Sequence, residues 1–291
     1  MKNIKLFKKF SALFLMLILT ATIVFSFGCD TQKDEYDSSV ILISIDGMRP
    51  DAIDKTEYGN YLKTISSYSL SVKTVNPSIT LPCHTSMLYG VEPSVHGITT
   101  NTYTPSENIG KSIFDCLNDK SLKSVAFYNW KELGDIINET SVETKTYIGG
   151  EIYGWEQANN SLANEFISYI KNNDFDFAFL YLGFLDEWGH RYGWLSNEYF
   201  YALEESLKIV KEVIETAPQS ASIILTSDHG GHDNTHGSTL NEDMLIPLYA
   251  IGNYFEKGNK LDNLSMLNVA PTVLKLLNVT PPKSWQGKSI L

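Results

Sequence analysis

The sequence predicts an α/β fold, a mostly parallel central sheet with helices on both faces, and three observations predict it. Short β-branched runs alternate with stretches of helical periodicity, the pattern of strands joined by crossover helices. Three of these segments lead at their carboxyl ends into an acidic residue, Asp46, Asp186 or Asp228, and sites in such sheets gather at the carboxyl ends of strands. The chain of 291 residues, 43% hydrophobic and 20% charged, is long enough for one sizeable core.

Ser39 to Ile45 (SVILISI) reads as a buried strand, followed by Asp46-Gly47. Pro77 to Tyr89 reads as a loop entering a helix, with Thr80 near the cap and Pro82 in the first turn. Ser124 to Tyr128 and Phe175 to Phe184 are the second and third strands. Asn197 to Thr216 is a helix, because Leu203, Leu207, Val210 and Ile214 recur at helical spacing. Ala221 to Thr226 is the fourth strand and runs into Ser-Asp-His. Leu245 to Ile251 is the fifth, and Asn268 to Leu277 forms a closing helix. Residues 102 to 123 and 130 to 160 are polar and weakly periodic, and are expected to form a small cap over the site.

The N-terminus has a different character. Lys2, Lys5, Lys8 and Lys9 precede an apolar run from Ala12 to Phe27 that ends at Gly28-Cys29, which reads as a secretory signal over residues 1–29. A small residue directly before cysteine predicts lipoprotein processing with Cys29 as the lipidated terminus, although Ser26 stands where Leu is usual. A plain signal peptide or an uncleaved anchor would export the domain equally. Residues 30–38 (DTQKDEYDS) fit a polar tether to a membrane surface, leaving 39–291 as one domain.

The net charge is -11, and the signal region holds four lysines and no acid, so the body is more acidic still. That argues against nucleic acid polymers as partners, which need basic patches. It leaves small phosphate esters open, because bound cations invert the local field. Cys83 and Cys116 do not make a disulfide framework and are expected to be separate buried thiols.

Four of the six histidines fall in two short motifs, D-E-W-G-H (Asp186, His190) and D-H-G-G-H-D-N-T-H (Asp228, His229, His232, His236). Mixed carboxylate and imidazole donors suit zinc, manganese or iron. An Asp and a His four apart can hold one ion from a single helical turn. A lone histidine here would more often be a surface or core residue. The whole set, each group just after an apolar strand, resists that account, since burying such charges without a cation costs several kcal/mol each. Thr80 places a hydroxyl at a helix N-terminus, where orphan amides favour an anion; the same residue could be an ordinary cap.

These residues resemble the alkaline phosphatase superfamily, and within it the type I phosphodiesterase/nucleotide pyrophosphatase group. The resemblance runs from Val40 to the C-terminus. It rests on I-S-I-D-G-M-R-P-D from Ile43, N-P-S-I-T-L-P-C-H-T-S-M-L-Y-G from Asn76, L-D-E-W-G-H-R-Y-G from Leu185, T-S-D-H-G-G from Thr226, T-H-G from Thr235, and A-P-T-V-L-K-L-L near the end. It implies two divalent metal ions, most simply Zn2+, with Mn2+ or Fe as alternatives. Asp46, Thr80, Asp228 and His229 would hold one; Asp186, His190 and His236 would hold the other. Thr80 is implied as the nucleophile and Asn101 as the amide that holds a phosphoryl oxygen. His84, His96 and His232 match no ligand position, although His232 could substitute for His236.

Two departures matter. The last histidine follows the Asp228-His229 pair within a few residues, without the long insertion that helps to shape a nucleotide pocket. Thr80 stands where sulfatases carry a cysteine matured to formylglycine, with His84 in their arginine position, so formylglycine sulfatase chemistry is not expected. The implied activity is hydrolysis of small phosphate esters, phosphodiesters or pyrophosphates first, through a phospho-threonine intermediate. Three alternatives stand beside it: a phosphomonoesterase, a phosphoethanolamine-type transferase at the membrane, and a non-catalytic lipoprotein that binds phosphate-bearing ligands.

Overall fold

The computed structural model of the chain describes residues 39–105 and 109–291. The signal, the lipidation expected at Cys29 and the tether lie outside the described residues. Seven strands form one sheet: β1 Ser39–Ile45, β2 Ser67–Lys73, β3 Ser124–Tyr128, β4 Thr144–Tyr147, β5 Phe177–Leu182, β6 Ala221–Thr226 and β7 Leu245–Ile251. Their order is β2-β7-β6-β1-β5-β3-β4. β1 lies in the middle, parallel to β5 on one side and β6 on the other, and all seven of its residues are buried. Among the described strands only β7 runs against the rest, antiparallel to both β6 and β2.

The strand period of two divides β1 between two cores. Val40 and Leu42 face one hydrophobic cluster, and Ile41, Ile43 and Ile45 face the other. The first cluster is closed by helices α2 Thr80–Tyr89, α3 Ile113–Asn118 and α7 Val269–Leu276. The second is closed by α1 Glu57–Ile65, α4 Trp155–Asn172, α5 Phe184–Tyr192 and α6 Asn197–Thr216. Burying each such Ile, Leu or Phe contributes roughly 1.5–3 kcal/mol, which is why a two-faced apolar strand belongs at the centre of the sheet.

The expected third strand is shorter than Phe175–Phe184. β5 ends at Leu182, the backbone turns at Gly183, and Phe184 already opens α5. The stretches expected to cap the site also build the body. Residues 102–123 contain α3, with Ile113, Phe114 and Leu117 buried, while 130–160 contain the half-buried edge strand β4 and the start of α4. Cys83 and Cys116 are free and buried, as expected.

Candidate active site

Each candidate side chain is placed by the end of a strand or the start of a helix. β1 delivers Asp46, which is buried, and Gly47 follows with φ +67°, a left-handed conformation that glycine adopts without strain. A Cβ at Gly47 would also come within 2.9 Å of Asp186 Oδ1. β6 delivers Asp228 and His229, both fully buried. Thr80 is the first residue of α2, not its cap, and its side chain makes no capping bond. Its Oγ1 instead lies 3.2 Å from His229 Nε2. The same nitrogen is 3.3 Å from Asp46 Oδ1 and 3.2 Å from Asp228 Oδ2.

A second group sits beside the first. Asp186 and His190 lie one turn apart on α5, with His190 Nε2 3.4 Å from Asp186 Oδ2. His236 Nε2 is 3.8 Å from Asp186 Oδ1 and 3.1 Å from His190 Nε2. The His229 and His236 rings stack with centroids 3.7 Å apart, which joins the two groups. The structure therefore brings together all seven residues expected as ligands; their donor atoms other than Thr80 form two clusters, each within 4.8 Å.

The tautomers follow from the partners. A carbonyl only accepts, so each Nδ1 beside one carries the proton. His229 Nδ1 faces Gly230 O at 2.8 Å, His190 Nδ1 faces Asn234 O at 3.0 Å, and His236 Nδ1 faces Ser78 O at 2.9 Å. In its neutral form each ring then presents the Nε2 lone pair to the site, the arrangement that orients imidazole ligands. At His190 and His236 two such nitrogens lie 3.1 Å apart, a pair that a shared proton or a metal ion would reconcile. Among the described residues, the buried side-chain oxygens without a hydrogen bond include Asp46 Oδ1, Asp186 Oδ1 and Asp228 Oδ2. Tetrahedral donors about 2.0–2.1 Å from an ion stand roughly 3.3 Å apart, close to the separations observed. The donor set fits divalent transition metals.

Burial raises the carboxyls of all three aspartates. Asp46 is lifted well above its usual range, first by desolvation and then by Asp228 and Asp186; Asp228 is pushed up to about 7, and Asp186 is also raised. Burial, then His236, drives His229 well below the usual imidazole value, keeping it neutral.

The structure adds residues that the sequence reading missed. Tyr181, from β5, donates its hydroxyl to Asp46 Oδ2. Asp243, fully buried, accepts from His232 Nδ1 at 2.7 Å and from the Ser238 amide at 2.8 Å, pinning both ends of the loop that carries His236. Burial raises the Asp243 carboxyl, but these hydrogen bonds outweigh it and hold the group below its usual value. His232 thus turns away from both donor clusters. His84 and His96 are buried and hydrogen-bonded at both ring nitrogens: His84 to Thr80 O and Ser44 Oγ, His96 to the Ile98 amide and Ser86 Oγ. Burial lowers each to about 4. A tyrosine inside an apolar strand and an aspartate in a one-turn helix carry no motif that would have singled them out.

The donors open into a cleft of about 100 Å³. Asn101 lines it, and its Oδ1 accepts the Leu81 amide at 3.0 Å, which turns the side-chain NH2 away from that contact as a free donor. Trp130, Trp155 and Glu187 complete the outer wall.

Fold and site together define an alkaline phosphatase-like α/β protein. Human ectonucleotide pyrophosphatase/phosphodiesterase 5 superposes with a TM-score of 0.72 at 16% identity, over 86% of this chain and 97% of that one. A 2-O GAG sulfatase gives 0.70 at 12% identity, over 87% and 73%. The phosphonate monoester hydrolase of Agrobacterium radiobacter gives 0.69 at 13%, over 87% and 76%. The chain belongs to the type I phosphodiesterase / nucleotide pyrophosphatase family, whose sequence model matches residues 40–271.

Venom phosphodiesterase 2 of Crotalus adamanteus is 25% identical over 224 residues, 66% of this chain and 27% of that protein. Bis(5'-adenosyl)-triphosphatase ENPP4 of Pongo abelii is 24% identical over 263 residues, 80% of this chain and 56% of that one. The chain spans about a quarter of the length of the venom phosphodiesterases it matches.

Proposed function

We propose that the chain is an exported, metal-dependent phosphodiesterase or pyrophosphatase in which residues 39–291 form one catalytic domain and Thr80 is the nucleophile. The observation that carries it is the set of three imidazoles, each fixed by a backbone carbonyl at Nδ1 with a bare Nε2 beside unpartnered carboxylate oxygens, next to the Thr80 hydroxyl. Asp46, Asp228, His229 and Thr80 would hold one divalent ion, and Asp186, His190 and His236 a second, zinc being the best fit to the donors. Such ions polarise phosphoryl oxygens and lower the pKa of coordinated hydroxyls and water.

The protein's own groups do the rest. Thr80 Oγ1 attacks phosphorus, the bond to the leaving alcohol breaks, and a phosphoryl ester of Thr80 that keeps the second ester group forms. Water then cleaves that ester and restores Thr80. The Thr80 amide, without an acceptor in the first helical turn, and the Asn101 NH2 donate to the non-bridging oxygens. Preference for diesters over monoesters is supported by charge: among the described residues no Lys or Arg lines the cleft. The two arginines of the chain are engaged elsewhere, Arg49 with Asp51 and Gly231 O, Arg191 over the Trp188 and Tyr192 rings. A dianionic monoester would lack the guanidinium clamp that its extra charge calls for.

Export is supported by the lysine-rich start and apolar run of residues 1–29, and by relatives named as venom and ectonucleotide enzymes. No described helix is long and apolar enough to cross a membrane; attachment is proposed through lipid on Cys29, which the Gly28-Cys29 pair supports. The test is turnover of bis(4-nitrophenyl) phosphate against 4-nitrophenyl phosphate by the purified chain, stripped by chelator and then reloaded with zinc or manganese. The expected result is no turnover when stripped, recovery on reloading, and about tenfold or greater kcat/KM for the diester. Turnover that ignores the chelator, or a preference for the monoester, contradicts the reading.

A further inference from the structure

A groove of about 480 Å³ adjoins the catalytic cleft, and Trp155 belongs to the walls of both. The volume lies within the roughly 300–1,000 Å³ range of small-molecule sites. The Trp155 ring is held between two glycines: a Cβ at Gly150 would come within 2.2 Å of it, and one at Gly183 within 2.6 Å. Gly183 sits at the turn out of β5, where its amide donates to Asn129 Oδ1 at 2.9 Å. Asn129 in turn donates to Asn159 Oδ1 at 2.5 Å, which ties the first turns of α4 to the carboxyl end of the sheet. The indole is thus a fixed platform on the boundary between groove and cleft.

The groove's floor is a stripe on α4. Gln157, Asn160, Ser161 and Asn164 recur at i, i+3, i+4 and i+7, so they share one helical face. None is charged, and among the described residues their side chains take no hydrogen-bond partner within the protein. The one acid there, Glu156, accepts from the Tyr201 hydroxyl at 2.6 Å. The exposed face of α6 is different in kind, bearing Glu204, Glu205, Lys208, Lys211, Glu212 and Glu215. Asparagine is a weaker helix former than alanine, glutamate or lysine, so two of them on this stripe are a poor choice for a merely solvated face. Across the groove stands Trp188, partly exposed, its ring edge-on to Phe184 at 4.4 Å and next in sequence to Glu187 of the cleft.

Amides both donate and accept, which matches the paired character of sugar hydroxyls, and an indole offers an apolar surface to the C–H face of a pyranose. The absence of Lys and Arg from the lining, among the described residues, disfavours a second anionic group. We propose that this groove is a subsite for a glycosyl group carried on the phosphodiester, so that the substrate class is a glycosyl or polyol phosphodiester; this rests on the proposed hydrolase reading.

The test uses the full-length, zinc-loaded Thr80→Ala protein, in which turnover does not intervene. Affinity is measured by calorimetry for two probes, the methyl phosphodiester at O6 of methyl glucoside and ethyl methyl phosphate. The glycosyl probe is expected to bind about tenfold tighter or better. That advantage should collapse in the Asn160→Ala/Asn164→Ala double variant and shrink in Trp188→Ala, with circular dichroism unchanged in both. Equal affinity for the two probes, or an advantage that survives the double variant, overturns the subsite. If neither probe binds and the wild-type chain does not turn over bis(4-nitrophenyl) phosphate, the hydrolase reading falls and takes the subsite with it.

Discussion

Asp46 and Asp228 face each other where water does not reach, and the consequence is a pH dependence that changes sign with metal. Burial raises both carboxyls, Asp228 to about 7, against an unfolded value of 3.8. Between about pH 4 and 7 these two carboxyls keep protons in the folded, metal-free protein that they have released in the unfolded chain, which lowers stability as pH rises; below about 6.5 the buried His84, His96 and His229, neutral when folded and protonated when unfolded, act in the opposite direction, so the fall dominates above about pH 6.5. Metal binding needs the same carboxylates deprotonated, so the stabilisation that zinc confers grows over the same window. Thermal melts of chelator-stripped protein from about pH 6.5 to 8 should show a falling Tm, and zinc-loaded melts a widening gain. A stripped protein whose Tm rises with pH over that range would contradict this electrostatic account. Thr80→Ala should fold normally and lose about a thousandfold or more in kcat, because a nucleophile acts only in the reaction; near-normal turnover would mean that water attacks directly. The aspartates and histidines of the site were legible in the sequence because each follows an apolar strand. Tyr181 was not, because it acts through Asp46, remote in sequence, and Asp243 was not, because an acid just past the histidine motif has no spacing that marks it as the partner of His232 and Ser238.

The loop from His229 to Ser238 is held by a one-turn helix, Asn241–Met244. The Gly230 and Gly231 amides donate to Asp243 O and Glu242 O at 2.9 and 2.8 Å, and the Asp243 carboxylate takes His232 and the Ser238 amide. Hydrogen bonds to a charged group are worth about 1.5–3 kcal/mol, enough to fix the direction of His236. Under the proposed assignment His236→Ala removes one metal ion. Asp243→Asn and His232→Ala should each keep two ions and lower metal affinity or activity by about 10–100-fold, the range for outer partners of metal ligands. Metal analysis with chelator competition on the three variants checks this; loss of an ion from His232→Ala but not from His236→Ala would exchange their roles. At this scale the central strands were plain in the sequence, since two-faced burial leaves unbroken apolar runs. β2 was passed over although SYSLSVK alternates with the strand period, because three serines and a lysine at a sheet edge leave it no apolar run, and β4 (TKTY) is half-buried and polar. Helix α4 was hidden by its asparagines, although Leu162, Phe166 and Ile170 keep helical spacing.

For the whole molecule, the acidic body and the site at the carboxyl ends of β1, β5 and β6 suit a small ester whose charge is met by bound cations. The N-terminal pattern predicts lipid on Cys29 and a membrane-bound enzyme. Cys29→Ser should move activity from the membrane fraction to the soluble one or block maturation, read by fractionation and by mass spectrometry of the N-terminal peptide; an unchanged membrane fraction without lipid on Cys29 would point to the apolar run itself as the anchor. The central claim is that Thr80 attacks phosphorus and is released by water, with His236 needed for the second step. Mass spectrometry of His236→Ala protein incubated with bis(4-nitrophenyl) phosphate tests it most directly. The account predicts a 4-nitrophenyl phosphoryl adduct on the Thr80 peptide, accumulating as one equivalent of nitrophenol is released and absent from the Thr80→Ala/His236→Ala protein. Nitrophenol release with no adduct on Thr80, continuing in the double variant, would contradict it.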